Sequence, residues 1–131
     1  MIRIAIVEDE QLFREKILRY LHRYEEKNKQ SFSIKTFENG MQFLTDYRPE
    51  YDIIFMDIEM PYLSGMETAK RVRKVDSRTA IAFITNMANY AVQGYEVEAI
   101  DFIVKPFTYE VFEYKLGRIL SRTEDKREKS S

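Results

Sequence analysis

The chain has 131 residues, enough for one domain with a single substantial core. A hydrophobic fraction of 44% beside 33% charged residues excludes a disordered chain, and 21 Lys and Arg against 22 Asp and Glu leave a net charge of −1, with no electrostatic reason to bind DNA or an anionic membrane through this domain. The absence of Cys excludes disulfides and thiolate chemistry and fits a cytoplasmic setting, a single His argues against a zinc centre, and the opening apolar run is too short for a signal peptide or a membrane span.

In chain order, strands are expected near residues 2–7, 32–37, 52–56, 80–84 and 101–104, and helices near 10–28, 40–48, 64–75, 87–96 and 108–122. The first helix shows Phe13, Ile17, Leu21 and Tyr24 at spacings of four and three, and the last shows Phe112, Leu116, Ile119 and Leu120 in the same way. Asn39, Ser64 and Thr108 are suited to cap helices, and Glu67 follows Ser64 at capping-box spacing. Five strand–helix units predict an α/β fold of flavodoxin-like (βα)5 type, a doubly wound parallel sheet of order 2-1-3-4-5. Residues 31–37 alternate apolar and polar side chains, as suits a half-exposed edge strand. The reading is of one domain over residues 1–122, and residues 123–131, polar and without apolar periodicity, read as a linker or tail.

Four of the short apolar runs end in a reactive group. Ile4–Val7 leads into Glu8-Asp9, Ile53–Met56 into Asp57, Ala80–Ile84 into Thr85, and Phe102–Val104 into Lys105-Pro106. In a parallel sheet these groups share the carboxyl edge, where open α/β sheets bind ligands. Strands one and three are neighbours in this order, so Glu8, Asp9 and Asp57 converge. Carboxylates that close repel one another unless a cation sits among them, and oxygen-only donors favour Mg²⁺, with Mn²⁺ as the alternative. Asp57 is the candidate nucleophile, a carboxylate able to accept a phosphoryl group, and the turn Ile58-Glu59-Met60-Pro61 restrains it. The Lys105 ammonium and the Thr85 hydroxyl would meet the phosphoryl oxygens. Each residue has an ordinary reading by itself: a helix-capping Asp9, a solvated strand-end Lys105, a β-branched Thr85 in a strand. Four elements ending in the right group in the right order outweigh those readings.

Over residues 2–122 the chain resembles the receiver domain of bacterial two-component response regulators. The resemblance rests on Glu8-Asp9, Asp57 with Met60-Pro61 and Gly65 after it, Thr85, and Lys105-Pro106. Residues 95–107 are further similar to receivers that precede LytTR-type DNA-binding domains. The resemblance implies that Asp57 is phosphorylated by a sensor histidine kinase. It implies that Asp9, Asp57 and the backbone carbonyl of Glu59 ligate Mg²⁺, with Glu8 acting directly or through water. It also implies that Lys105 binds the phosphoryl group while Thr85 moves toward it and Phe102 turns inward, with Pro61, Gly65 and Pro106 shaping the turns. The face formed by the fourth helix, fifth strand and fifth helix would then change partner, with a homodimer as one outcome, to control a DNA-binding output domain. Neither a membrane nor direct nucleic-acid contact by this domain is implied.

Four positions depart from the common pattern: Glu8 stands where Asp is also common, Phe102 where Tyr is frequent, Asn86 where a small residue is common, and Glu59 adds an acid beside the site. Two other functions compete with the switch. A haloacid-dehalogenase-type phosphohydrolase also uses a strand-end Asp, Mg²⁺, Thr and Lys. However, its nucleophile lies on a first strand with a second Asp two positions on, where this chain has Glu59. A pseudo-receiver would bind a partner without phosphorylation, which the intact acid set disfavours. His22 reads as a surface histidine, Tyr90 and Tyr95 as aromatics of a partner surface or as partly buried side chains, and the four glycines form no nucleotide-binding loop.

Overall fold

The computed structural model describes residues 1–86 and 93–129, with side chains through Glu124. Its elements are β1 (Ile2–Val7), α1 (Gln11–Asn28), β2 (Phe32–Phe37), α2 (Gly40–Leu44), β3 (Ile53–Met56), α3 (Gly65–Arg73), β4 (Ala80–Thr85), a 3₁₀ segment (Gln93–Val97), β5 (Asp101–Val104) and α4 (Tyr109–Lys129). The five strands form one parallel sheet of order β2-β1-β3-β4-β5, as expected.

Alternate residues of each inner strand face opposite sides, and both sides are covered. Ile4, Ile6, Ile53 and Phe55 pack with Ile17 and Leu21 of α1 and with Phe112, Leu116 and Ile119 of α4. Ala5, Val7, Ile54, Met56, Ile81 and Phe83 pack with Phe43 of α2, Met66, Ala69 and Val72 of α3, and Val97. This two-sided burial is why the inner strands are apolar without alternation. β2, at one edge, is half-exposed as expected, with Ser33, Lys35 and Thr36 facing solvent. Among the described residues no helix is long and apolar enough to cross a membrane.

Three helices differ in extent from expectation. The second ends at Leu44, not near 48. Thr45 is extended and Asp46 takes a left-handed φ of 57°, which turns Tyr47 and Tyr51 back onto Phe43 at ring distances of 5.2 and 5.7 Å. The last helix continues past residue 122 to Lys129, because residues 123–129 contain no Gly or Pro to stop propagation. Of the expected fourth helix, residues 87–92 and with them Tyr90 lie outside the described residues, and Gln93–Val97 is 3₁₀.

The caps follow the sequence. Asn39 accepts a hydrogen bond from the Gln42 amide at 2.8 Å, Ser64 from Glu67 at 3.1 Å and Thr108 from Val111 at 3.3 Å. His22 is on the surface, 2.8 Å from Glu25, and Tyr95 is exposed.

Candidate functional site

Main-chain hydrogen bonds continue past the strand ends and tie the site residues to the neighbouring strands. The Glu8 amide donates to the Phe37 carbonyl at 3.0 Å, Asp57 to Val7 at 3.0 Å and Lys105 to Thr85 at 2.9 Å. Asp57 is thereby held beside the end of β1, and Lys105 beside the end of β4.

Gly65 fixes the turn after Asp57. Its amide donates to the Ile58 carbonyl at 2.7 Å, and a Cβ there would collide with the Asp57 carbonyl oxygen and fall 2.9 Å from the Ile58 Cα. Only glycine allows this approach of α3 to the back of Asp57. Within the turn, the Leu63 amide donates to the Pro61 carbonyl at 2.8 Å and Tyr62 takes a φ of 70°. The Lys105-Pro106 bond is cis.

Glu8, Asp57, Thr85 and Lys105 are all buried, and the Lys105 ammonium is fully shielded from solvent. Its Nζ lies 2.6 Å from Glu8 Oε1, an ion-pair contact off the direction of a well-formed hydrogen bond. It donates to Asp57 Oδ2 at 3.2 Å and is 3.7 Å from Glu10 Oε1. The Phe13 ring closes the other side, 4.1 Å from Nζ. The solvated strand-end reading of this lysine is therefore excluded. The Asp9 helix-cap reading falls too: α1 has Glu10 at its N-cap, with no side-chain capping bond.

Carboxylate oxygens of Glu8, Asp9, Glu10 and Asp57 lie within 4.8 Å of one another. Burial pushes the Glu8 carboxyl up to about 8, with Asp57 adding repulsion and Lys105 opposing it. Burial also raises Asp57, against the pull of Lys105. Burial alone would lower the Lys105 pKa, but the Glu8 and Asp57 carboxylates outweigh it and raise it. Four acids around one shielded ammonium leave excess negative charge, and every donor is a hard oxygen. That donor set fits Mg²⁺.

Two neighbours were missed from the sequence. Glu10 joins the acid group, signalled only by its place directly after Glu8-Asp9. Arg14 donates to the carbonyls of Glu8 at 2.8 Å and Asp9 at 3.2 Å, clamping the loop, and no sequence pattern marks it. The exposed Glu59 side chain stands outside the tight acid group. It lines a cavity of about 570 Å³ with Asp9, Met60, Pro61, Lys70 and Gln93, which opens the acid cluster to solvent. Phe102, on β5, is half-buried, its ring 5.4 Å from that of Phe83.

The family model of the response regulator receiver domain matches residues 4–116. The chain belongs to this family. The receiver is 38% identical over 122 residues to the sensory transduction protein LytT of Oceanobacillus iheyensis, covering 90% of this chain and 48% of that protein. It spans about half the length of the curated relatives it matches. The response regulatory domain of MrkE from Klebsiella pneumoniae superposes with a TM-score of 0.81 at 27% identity, covering 95% of this chain and 99% of that one. The response regulator TrrA from Thermotoga maritima, solved in complex with Mg²⁺ and a beryllofluoride, superposes with a TM-score of 0.73 at 31% identity, covering 91% and 99%. The receiver is thus a phosphoacceptor signalling module of the two-component type, a switch with LytT and LytR proteins among its relatives. This assignment favours the switch over the phosphohydrolase and the phosphorylation-independent module.

Proposed function

We propose that Asp57 is the phosphoacceptor, that a sensor histidine kinase is the donor, and that the receiver works in the cytoplasm. The observation that carries this is the placing of Asp57: buried at the end of β3, 3.2 Å from the Lys105 ammonium and grouped with three further carboxylates. An Asp57 carboxylate oxygen bonds to the phosphorus as the bond to the donor nitrogen breaks, and the nitrogen keeps the electron pair.

Asp9, Asp57 and the main-chain carbonyl of Glu59 would hold Mg²⁺, or Mn²⁺ in its place, with Glu8 directly or through water. When bound, the ion neutralises charge on the phosphoryl oxygens. Lys105 turns its ammonium from the Asp57 carboxylate to a phosphoryl oxygen, and the Phe13 ring and Glu8 hold it in line. Thr85 donates its hydroxyl to a second phosphoryl oxygen, and the inward placing of Phe102 is favoured over outward ones. The face comprising the fourth helix position, β5 and α4 then changes its preference for a partner, with pairing of two copies as one outcome. The exposure of Tyr95, Val104 and Tyr114 supports that face as an interaction surface.

The signalling unit is residues 1–122, and residues 123–131 serve as a polar linker or tail, the first part of which continues α4. The match to only 48% of a LytT relative, together with a transcriptional regulatory protein LytR among the relatives, supports a DNA-binding output domain as the element controlled. The near-neutral charge supports a receiver that itself contacts neither nucleic acid nor membrane.

Incubation with Mg²⁺ and a small phosphodonor, followed by intact mass measurement, tests the reading. One phosphoryl group is expected on the wild type and none on Asp57→Ala. No uptake by the wild type, or equal uptake by the variant, overturns it.

A further inference from the structure

Gly94 sits in helical backbone that does not need a glycine. Its φ is not in the left-handed region, and alanine is the better residue in a helical turn. Its missing side chain instead leaves a space filled by another residue. A Cβ on Gly94 would lie 2.5 Å from Cζ and 2.6 Å from Cε2 of Phe102, and 3.3 Å from Cβ of Ala99. The Phe102 ring therefore rests directly on Gly94, with Phe83 as its neighbour on the sheet.

The backbone on which the ring rests is tied down. The Ala99 amide donates to the Gly94 carbonyl at 3.0 Å, and Ile100 to Ile81 of β4 at 2.8 Å. Arg73 of α3 donates through Nε to the Val97 carbonyl at 2.7 Å and through Nη2 to Glu98 at 3.3 Å. Val97 is buried in the core. The atoms that a methyl at position 94 would strike are the tip of a side chain on a rotatable bond. The ring yields at lower cost than the anchored segment does.

We infer that Gly94 is a positioning residue for the switch: its bare Cα is the floor of the seat in which the Phe102 ring packs against the Phe83 core, and a side chain there expels the ring. The inference rests on the reading of Phe102 as the aromatic that responds to the phosphoryl group. Coupling is reciprocal: if the phosphoryl group favours the seated ring, expelling the ring weakens the hold on the phosphoryl group.

The test compares wild type, Gly94→Ala, Phe102→Ala and the double variant. Each is titrated with beryllofluoride and Mg²⁺ as the phosphoryl probe, and the Phe102 ring resonances are followed by NMR in ring-labelled wild type and Gly94→Ala. In Gly94→Ala the ring signals should lose the shielding due to Phe83, and the probe should bind about five-fold or more weakly, the lower end of typical coupling. In the Phe102→Ala background the same change should alter binding by less than about two-fold, since there is no ring to expel.

An unmoved ring, unchanged or tighter binding in Gly94→Ala, or the same loss without the Phe102 ring would each overturn the inference. Failure of the wild type to bind the probe at all would instead overturn the phosphoacceptor reading on which it rests.

Discussion

Lys105 Nζ lies closer to Glu8 Oε1, at 2.6 Å, than to Asp57 Oδ2, at 3.2 Å. The ammonium is therefore held by the first strand as well as by the third. Glu8 helps keep Lys105 beside the Asp57 carboxylate, and its longer side chain lets it reach the ammonium from a fully buried position.

Replacing Lys105 with Met removes the buried cation from a group of four acids. Breaking a buried pair in this way costs about 3–5 kcal/mol. We expect a matching fall in the urea midpoint of the metal-free protein. Millimolar Mg²⁺ should restore part of it, because a cation again sits among the carboxylates. Equal midpoints for the variant with and without Mg²⁺ would count against the acid group as an ion site.

Glu8 makes stability depend on pH. Its folded-state pKa is raised to about 8 by burial, above the unfolded value of 4.5. Between those two values the folded protein keeps a proton that the unfolded chain has released. The contribution of this group is complete below pH 4.5 and is lost as pH rises through 8. Metal-free protein should be less stable at pH 8.5 than at pH 6 by urea denaturation. Glu8→Gln, which mimics the protonated acid, should flatten that slope. A slope unchanged by the substitution would assign the pH dependence to other groups.

Gly65→Ala places a methyl against the Asp57 carbonyl. Overpacking of this kind costs about 1–3 kcal/mol. It also displaces the backbone that aims the Asp57 side chain. Slower phosphoryl uptake from a small donor is expected together with a lower melting temperature. Normal uptake by a destabilised variant would confine the role of Gly65 to packing.

Arg73→Lys keeps a charge but loses the planar fork that bonds Val97, Glu98 and Thr79 together. The 3₁₀ segment should loosen while the rest of the sheet stays intact. Hydrogen exchange should show faster exchange at the Ala99 amide, which is bonded to the Gly94 carbonyl, with protection in β1 and β3 unchanged. Unaltered exchange at Ala99 would show that the packing of Val97 suffices to hold the segment.

The strands and their order were legible because residues buried on both faces must be continuously apolar, and the parallel order follows from the strand–helix alternation. The convergence of Glu8, Asp9, Asp57 and Lys105 was legible for the same reason, since a parallel sheet brings all its carboxyl ends to one edge. Helix extents were less so. Asp46 ends α2 by taking a left-handed backbone, and periodicity alone does not register this. Residues 123–129 continue α4 on helix propensity, without the apolar periodicity that marks a helix in sequence.

The amino-acid sequence by itself determined which side chains stand at the strand ends, and hence that oxygens, a hydroxyl and an ammonium face one another. Only the tertiary structure decided that Lys105 is shielded between Glu8, Asp57 and the Phe13 ring, that Glu10 and Arg14 join the site, and that Gly65 and Gly94 are present for the space they leave. The physical reason is that burial, ion pairing and the steric meaning of a glycine depend on which distant residues come within a few ångströms. That proximity is set by packing rather than by spacing along the chain.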